Sequence, residues 1–352
     1  MTDASFPGLA GDPTRQLAFA HGGPMLDGTL RAVPEDFVVE EVLGYAASGA
    51  GEHVMLTIRK RERNTHDVAR ALARLAGVPQ VALGYAGLKD RNAVTTQHFT
   101  VQLPGRDAPD WSALRDDSLQ ILASQRHDRK IRRGALRGNR FRIRVSGVGG
   151  DRDLAGQRLQ TIREAGVPNY FGSQRFGRDG SNLDRVAALF AGQGRRPNRE
   201  QRGLLLSAAR AYLFNRVAAA RVADASWGRV LDGDVMSLAG SQRQFLYEPD
   251  DATVATRLAQ LDIHPTGPLC GRPSRALRPT GDALQLEERA LSDWSPWIEA
   301  LARMGLDADR RALRLAVEGL EWQWQGDSLQ ITFALPAGAY ATSVLRELVR
   351  VP

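Results

Sequence analysis

The chain has 352 residues, of which 43% are hydrophobic and 25% charged. This is the balance of a soluble globular protein long enough for two domains with real cores. Its single cysteine, Cys270, excludes an internal disulfide and any multi-cysteine zinc site, and fits a reducing cytoplasm. Net charge is +7, and the excess is local: residues 126–144 hold nine basic side chains and one acid, Asp128, leaving the rest close to neutral. The six histidines show no pair at helical metal-ligand spacing, so no metal is expected. No Gly-x-x-x-x-Gly-Lys loop, Gly-x-Gly-x-x-Gly turn or Gly-x-Ser-x-Gly elbow is present, so nucleotide cofactors and serine hydrolysis lack a signal. Residues 1–15 contain no apolar core of signal-peptide length and are expected to be loosely ordered. No apolar run approaches a membrane span, and a cytoplasmic location is expected.

In chain order, residues 37–42 read as a strand, and Val54, Leu56 and Ile58 alternate in the next. A helix over 65–76 is capped by Asn64 or Thr65, carries Val68, Leu72 and Leu75 on its apolar face, and ends at Gly77 and Pro79. Residues 84–99, GYAGLKDRNAVTTQHF, place Asp90 between Lys89 and Arg91, after Gly84 and Gly87. The glycines allow a tight backbone, and Phe99, Val101 and Leu103 alternate as a strand leaving the turn. Flanking cations favour an ionised carboxylate, the setting a reactive aspartate needs. Spacing alone fits a polar turn with three solvated charges better.

Beyond a loop containing Trp111, residues 119–123 begin a strand that leads into the basic stretch. In RFRIRV (140–145), Phe141, Ile143 and Val145 face one side of a sheet and Arg140, Arg142 and Arg144 the other. Such a local stripe is the electrostatic footprint of a polyphosphate partner; the alternative is a solvated sheet face, against which stands the run of cations just upstream, which would repel one another without an anion nearby. Helices dominate from residue 151. One carries Leu154, Leu159 and Ile162, one starts at Ser181 with Asp184 as a capping-box partner, and a long one spans about 200–223. Short strands at 232–246, a helix at 254–261, a Pro/Gly-rich loop at 264–279 and a helix at 284–306 broken at Pro296 follow. Beta character then returns. Trp322 and Trp324 alternate, residues 325–327 signal a turn, Leu329, Ile331 and Phe333 form the hairpin partner, and a helix is expected from Thr342 to the end.

GYAGLKDRNAVT resembles the aspartate motif of the TruD family of tRNA pseudouridine synthases, Gly-x-Lys-Asp-x-x-Ala-Val-Thr. PEDFVVEE (34–41), VPNYFGSQRFGRDGSNL (167–183) and LPAGAYATSVLREL (335–348) fall in that family's order, so the likeness spans nearly the whole chain. The resemblance implies an α+β fold. It consists of a pseudouridine-synthase catalytic domain with a central mixed, mostly antiparallel sheet (1–152 and 318–352), interrupted by an inserted α/β TRUD domain (153–317). It also implies isomerisation of uridine, expected at uridine 13 of tRNA, without a cofactor, by an enzyme that is a monomer with tRNA as its partner and no membrane or obligate protein partner.

By the same resemblance Asp90 is the nucleophile, attacking ribose or base, with Lys89 or Arg91 keeping it ionised. Phe37 and Asn139 stand at substrate-pocket positions, as does Tyr340, where the family often has Phe. Arg31 stands where some relatives carry Lys, and Lys89 belongs to the same substrate-binding set. On periodicity alone Phe37 is an inward strand residue, and Asn139 is a turn residue after Gly138. Arg129, Lys130, Arg132, Arg133, Arg142, Arg144, Arg175 and Arg178 are the candidate RNA contacts. Tyr170, Phe171 and Phe176 read as local core. Two other readings stand beside the enzyme. One is a non-catalytic tRNA-binding chaperone on the same scaffold. The other is a metal-dependent nuclease, against which the lack of a second nearby carboxylate or histidine cluster counts.

Overall fold

The computed structural model describes residue 6 and residues 11–350. Most of the start expected to be loosely ordered lies outside those residues, as do the last two positions of the expected C-terminal helix. In order, the chain forms strands β1 (Leu26–Leu30), β2 (Phe37–Val42) and β3 (His53–Arg61), helix α1 (Thr65–Ala76), and strands β4 (Leu83–Tyr85), β5 (Val94–Gln102), β6 (Leu119–His127) and β7 (Gly138–Gly150). The helical middle holds α2 (Arg152–Ala165), β8 (Val167–Pro168), α3 (Ser181–Phe190), α4 (Arg199–Ala223), β9 (Val235–Leu238), β10 (Gln244–Leu246) and α5 (Val254–Ala259). It continues through β11 (Ile263–Leu269), α6 (Gly281–Leu291), α7 (Ser295–Arg303), β12 (Asp309–Ala312) and β13 (Arg314–Leu315). A hairpin, β14 (Glu318–Gln325) and β15 (Ser328–Pro336), then leads to α8 (Ala341–Leu345) and β16 (Val349–Arg350).

By packing, the described residues fall into two compact units. One, the sheet unit, comprises residues 25–155, 317–338 and 349–350; the other, the helical unit, comprises the described residues up to Pro24 with residues 156–316 and 339–348. The inner boundaries lie close to the expected 153 and 317, but the N-terminal segment and residues 339–348 pack with the helical unit.

The sheet unit is built on a ten-stranded sheet in the order β14-β15-β7-β2-β5-β3-β6, with β1 on β7, β16 on β1 and β4 on β5. Only the β2–β5 and β1–β16 pairs are parallel, so the sheet is mixed and mostly antiparallel. Val54, Leu56 and Ile58 of β3 pack with Phe99 and Val101 of β5 against Val68, Leu72 and Ala76 of α1. In the helical unit, α4 runs through the core, with Leu213, Phe214 and Val217 packed among Tyr170, Phe171, Phe176, Trp294 and Trp297. A reciprocal cap starts it: Asn198 accepts from the Gln201 amide at 2.9 Å and Gln201 from the Asn198 amide at 3.2 Å.

Several expectations change. The chain enters α3 through Gly180 at φ +78°, so Ser181 is the first helical residue and not the head of a capping box. The first part of the loop expected at 264–279, residues 264–269, lies in strand β11, despite Pro265 and Pro268. It pairs with β9 over 263–265 and with β12 over 266–269, so each half is in effect an edge, where a missing N–H is tolerated. Pro296 lies in the first turn of α7, the break coming earlier at the 3-10 turn Ser292–Trp294. The last helix is only five residues long, and past its end the fully buried Glu347 carboxylate accepts the Ala20 and His21 amides at 3.1 and 3.0 Å. The chain then adds β16 beside β1.

A buried ion pair braces the helical unit. Arg221 donates to both carboxylate oxygens of Asp234 at 2.8 and 3.2 Å, with both side chains at most 2% exposed. Burial pushes the Asp234 carboxyl above its ordinary range even with the guanidinium against it, so the pair does not drive folding by itself. Removing one partner strands the other. Asp234→Ala should therefore cost about 3–5 kcal/mol of unfolding free energy, seen as a lower urea midpoint; a loss no larger than that of a surface substitution would show that Arg221 finds other partners.

Candidate active site

Strand alternation sorts the sheet into two faces. Phe37 pairs across from Ile143, Val39 from Phe141 and Glu41 from Asn139, so these side chains share a face. On β5 and β3 the same face continues through Thr95 and Gln97, and through Ile58 and Lys60. The segment carrying Asp90 lies over this face, beside the start of α1, and four anchors in four residues hold it. Gln97 Nε2 donates to the Gly87 carbonyl at 2.6 Å. The Lys89 amide donates to Thr65 Oγ1 at 3.1 Å, and Lys89 Nζ meets Glu41 Oε1 at 2.9 Å. Lys60 Nζ donates to the Asp90 carbonyl at 3.2 Å.

The cation at the Asp90 carboxylate is Arg31, whose Nη2 lies 2.7 Å from Oδ2. Lys89 and Arg91, the neighbours expected to serve there, turn elsewhere. Lys89 is committed to Glu41, and Arg91 Nε donates to the Glu62 carbonyl at 3.4 Å. Arg31 takes a left-handed backbone, φ +58°, a conformation uncommon outside glycine. Its guanidinium sits over the Phe37 ring, 3.9 Å from the centroid. Phe37 is 4% exposed, covered by Arg31 and set edge-on to Phe141 at 6.2 Å, so it seats Arg31 as well as lining the face. Asn139 presents a buried Oδ1 with no hydrogen-bond partner among the described residues. A buried acceptor left open on this face is a site for an N–H donor.

Glu41 is the support that motif reading passed over. Its carboxylate accepts the His98 amide at 2.8 Å in addition to the Lys89 ammonium, and its side chain is fully buried. Burial alone would raise its carboxyl, but the hydrogen bonding to His98 and the charge of Lys89 outweigh that and hold it below the ordinary value. The signal was available, since alternation in PEDFVVEE puts Glu41 on the face of Phe37 and Val39. The same alternation in HVMLTIRK turns Lys60 inward with Val54, Leu56 and Ile58.

The other expected residues are dispersed. Tyr340 belongs to the helical unit, where its hydroxyl accepts from Arg175 Nε at 3.0 Å and its ring meets Phe171 at 6.1 Å. Arg175 also donates to Ser207 Oγ at 3.1 Å, and Arg178 is exposed on a 3-10 turn. Arg142 and Arg144 project from the reverse face of the sheet. There Arg142 lines a groove of about 500 Å³ with Arg59, Arg140 and Glu40, and Arg144 donates to Ser328 Oγ at 3.1 Å. Arg129 lies over Tyr45, and Lys130 donates to the Val81 carbonyl. Arg132 and Arg133 are exposed on the loop whose Gly134 amide donates to the Ala86 carbonyl, just before the Asp90 segment. Among the described residues, no group of three His, Cys, Asp or Glu side chains is placed to hold a metal. No helix among them is long and apolar enough to cross a membrane.

The family described as tRNA pseudouridine synthase D (TruD) matches residues 16–193 and 195–348. A tRNA pseudouridine synthase D of Methylococcus capsulatus is 51% identical over 334 residues, covering 95% of this chain and 94% of its own. One of Nitrosococcus oceani is 49% identical over 347 residues, covering 97% and 96%. Among solved structures, a putative tRNA pseudouridine synthase D (TruD) from Methanosarcina mazei superposes with a TM-score of 0.70 at 20% identity, over 94% of this chain and 95% of its own. That last likeness concerns the fold.

The Glu41–Lys89 pair gives a pH-dependent prediction. A carboxyl depressed in the folded state adds stability that is complete above the unfolded value near 4.5 and is lost as pH falls through the lower folded value. Glu41→Gln should therefore be less stable than the parent at pH 7, and the gap should narrow steadily below pH 4.5 in urea titrations. A gap that stays constant through the acid range would mean that Glu41 contributes shape and not charge.

Proposed function

Because this chain belongs to the tRNA pseudouridine synthase D family, we propose that it isomerises uridine 13 of tRNA to pseudouridine with Asp90 as the nucleophile. The observation that carries this reading is the Asp90 carboxylate held at 2.7 Å by an arginine that itself rests on Phe37. Arg31 thus links Phe37 of one motif to Asp90 of another, which supports reading them as one site.

The reaction breaks the N1–C1′ bond, turns the base, and joins C5 to C1′; C5 gives up a proton and N1 gains one. Nothing is oxidised and nothing is hydrolysed in net terms, so a positioned nucleophile and a pocket for the free base suffice. Asp90 supplies a carboxylate able to bond covalently to the nucleotide. Arg31 orients it through a charge-assisted hydrogen bond. The target uridine has to leave its stack to reach the sheet face. There Asn139 Oδ1 is an acceptor suited to the uracil N3–H. Lys89 serves by holding the loop on Glu41. Tyr340, whose hydroxyl accepts from Arg175 Nε, is proposed as an aromatic substrate contact. The chaperone reading gains nothing from this geometry, since binding alone needs no clamped carboxylate.

Phosphate contacts are proposed for Arg129, Lys130, Arg132 and Arg133, for Arg142 and Arg144 on the reverse face, and for Arg178.

Two tests follow. Asp90→Asn keeps the shape and loses the nucleophilic charge, so it should abolish pseudouridine formation on a tRNA transcript while binding stays near the parent's; turnover within about tenfold of the parent would refute the assignment. Replacing Arg132 and Arg133 together with Gln should weaken every tRNA alike and shallow the salt slope of log affinity by about 0.7–0.9 per lost contact. Arg142 and Arg144 replaced with Gln should act more weakly. If that second pair has the larger effect, the RNA backbone runs over the reverse face.

A further inference from the structure

We propose that Lys60 is a positioning residue for Asp90: its buried ammonium ties the Asp90 backbone to the end of β3 and so fixes where the carboxylate is presented. The inference rests on the reading of Asp90 as nucleophile and adds a residue that none of the motifs contains.

Lys60 is 1% exposed, yet lysine is rarely buried without a reason. Its Nζ donates to two main-chain carbonyls, Arg63 at 2.7 Å and Asp90 at 3.2 Å. Together they join the turn after β3 to the turn that carries the carboxylate. An apolar side chain would fill the same inward strand position at lower cost in desolvation, because a cation removed from water loses solvation that carbonyl oxygens replace only in part. The groups around it make that cost visible. The loop brings Asp90 and Lys89, while the ladder neighbours Thr95 on β5 and Leu119 on β6 are uncharged. Burial lowers the Lys60 pKa to about 8, with Asp90 opposing the shift and Lys89 adding to it. Fold stability would favour an apolar residue here. Holding a loop carbonyl at a fixed place requires the donor.

The arrangement predicts opposite responses of activity and stability to pH. Above about 8 the ammonium loses its proton, the charge-assisted bond to the Asp90 carbonyl weakens, and turnover falls. Over the interval from about 8 to the unfolded value of 10.5, the unfolded chain binds more protons at this group, so its contribution makes folding more favourable as pH rises. A general loosening of the fold would lower both together.

Lys60→Met tests this, measured for kcat, tRNA affinity and urea midpoint from pH 6.5 to 9.5, with Asp90→Asn assayed alongside. At pH 7 kcat should fall by about 10²-fold, the scale of a misplaced reacting group, with affinity within about twofold. The deficit should shrink above pH 8 as the parent loses its own charge, while the midpoint difference moves in the parent's favour. A parent-like kcat, or a deficit constant across the pH range, overturns the proposal provided that Asp90→Asn is inactive. An active Asp90→Asn would instead remove the nucleophile reading and this inference with it. Should Lys60→Met fail to fold, hydrogen exchange on the parent decides. Amides of residues 87–92 should lose protection above pH 8 beyond the intrinsic base-catalysed rise, and exchange that follows only the intrinsic rise overturns the proposal.

Discussion

The ion pair between Lys89 and Glu41 is the constraint on which the site depends. Loops usually run over the surface and move, but this one carries the residue that has to stay still. Glu41 sits on β2, which is fixed by β5 on one side and β7 on the other. Its carboxylate reaches the loop at the residue directly before Asp90. Two buried charges gain from each other only if their remaining hydrogen-bonding capacity is also met. The His98 amide does this for Glu41. The position of Asp90 is thereby inherited from the sheet.

The two faces of that sheet divide the labour. Inward alternation gives a face of Phe37, Glu41, Gln97, Lys60 and Asn139, in which Glu41, Gln97 and Lys60 hold the loop and Asn139 Oδ1 has no hydrogen-bond partner among the described residues. The next residues along, Val38, Glu40, Arg142 and Thr332, line the reverse groove. A one-residue slip in β2 would exchange the sets and remove the site. The hydrophobic positions on either side, Val39 and Phe141 on the site face, fix the register through burial. Packing that stabilises the sheet therefore also specifies where the chemistry is placed.

Much of this was readable in advance, and the limits have physical causes. Helix α1, the alternation of RFRIRV and the last hairpin follow from periodicities of 3.6 and 2. Strand β11 did not, because its prolines signal a loop unless the change of ladder partner halfway along is known. The short α8 was hidden too: Glu347, just past its end, is held by amides 326 and 327 residues away. At the site, the motif named Asp90 but misplaced its partner. Adjacent cations are the natural guess from sequence, yet Lys89 is drawn to Glu41 and Arg91 to the Glu62 carbonyl, and Arg31 arrives from 59 residues away. Long-range pairing of this kind leaves no local pattern.

A gradient of exposure orders the charges around Asp90. Glu41, Lys89 and Lys60 are buried, whereas Arg31 and Asp90 keep side-chain exposures of 29% and 34%. Buried charges are costly to move, since any displacement breaks hydrogen bonds that water cannot replace. Partly exposed ones exchange partners cheaply. The inner set is therefore the rigid frame, and the Arg31–Asp90 pair is the part of the cluster that exchanges partners at least cost. On the proposed reading of Asp90 as the nucleophile, the three cations Arg31, Lys60 and Lys89 set against Glu41 and Asp90 also give the cluster a positive balance that favours the approach of a polyanion.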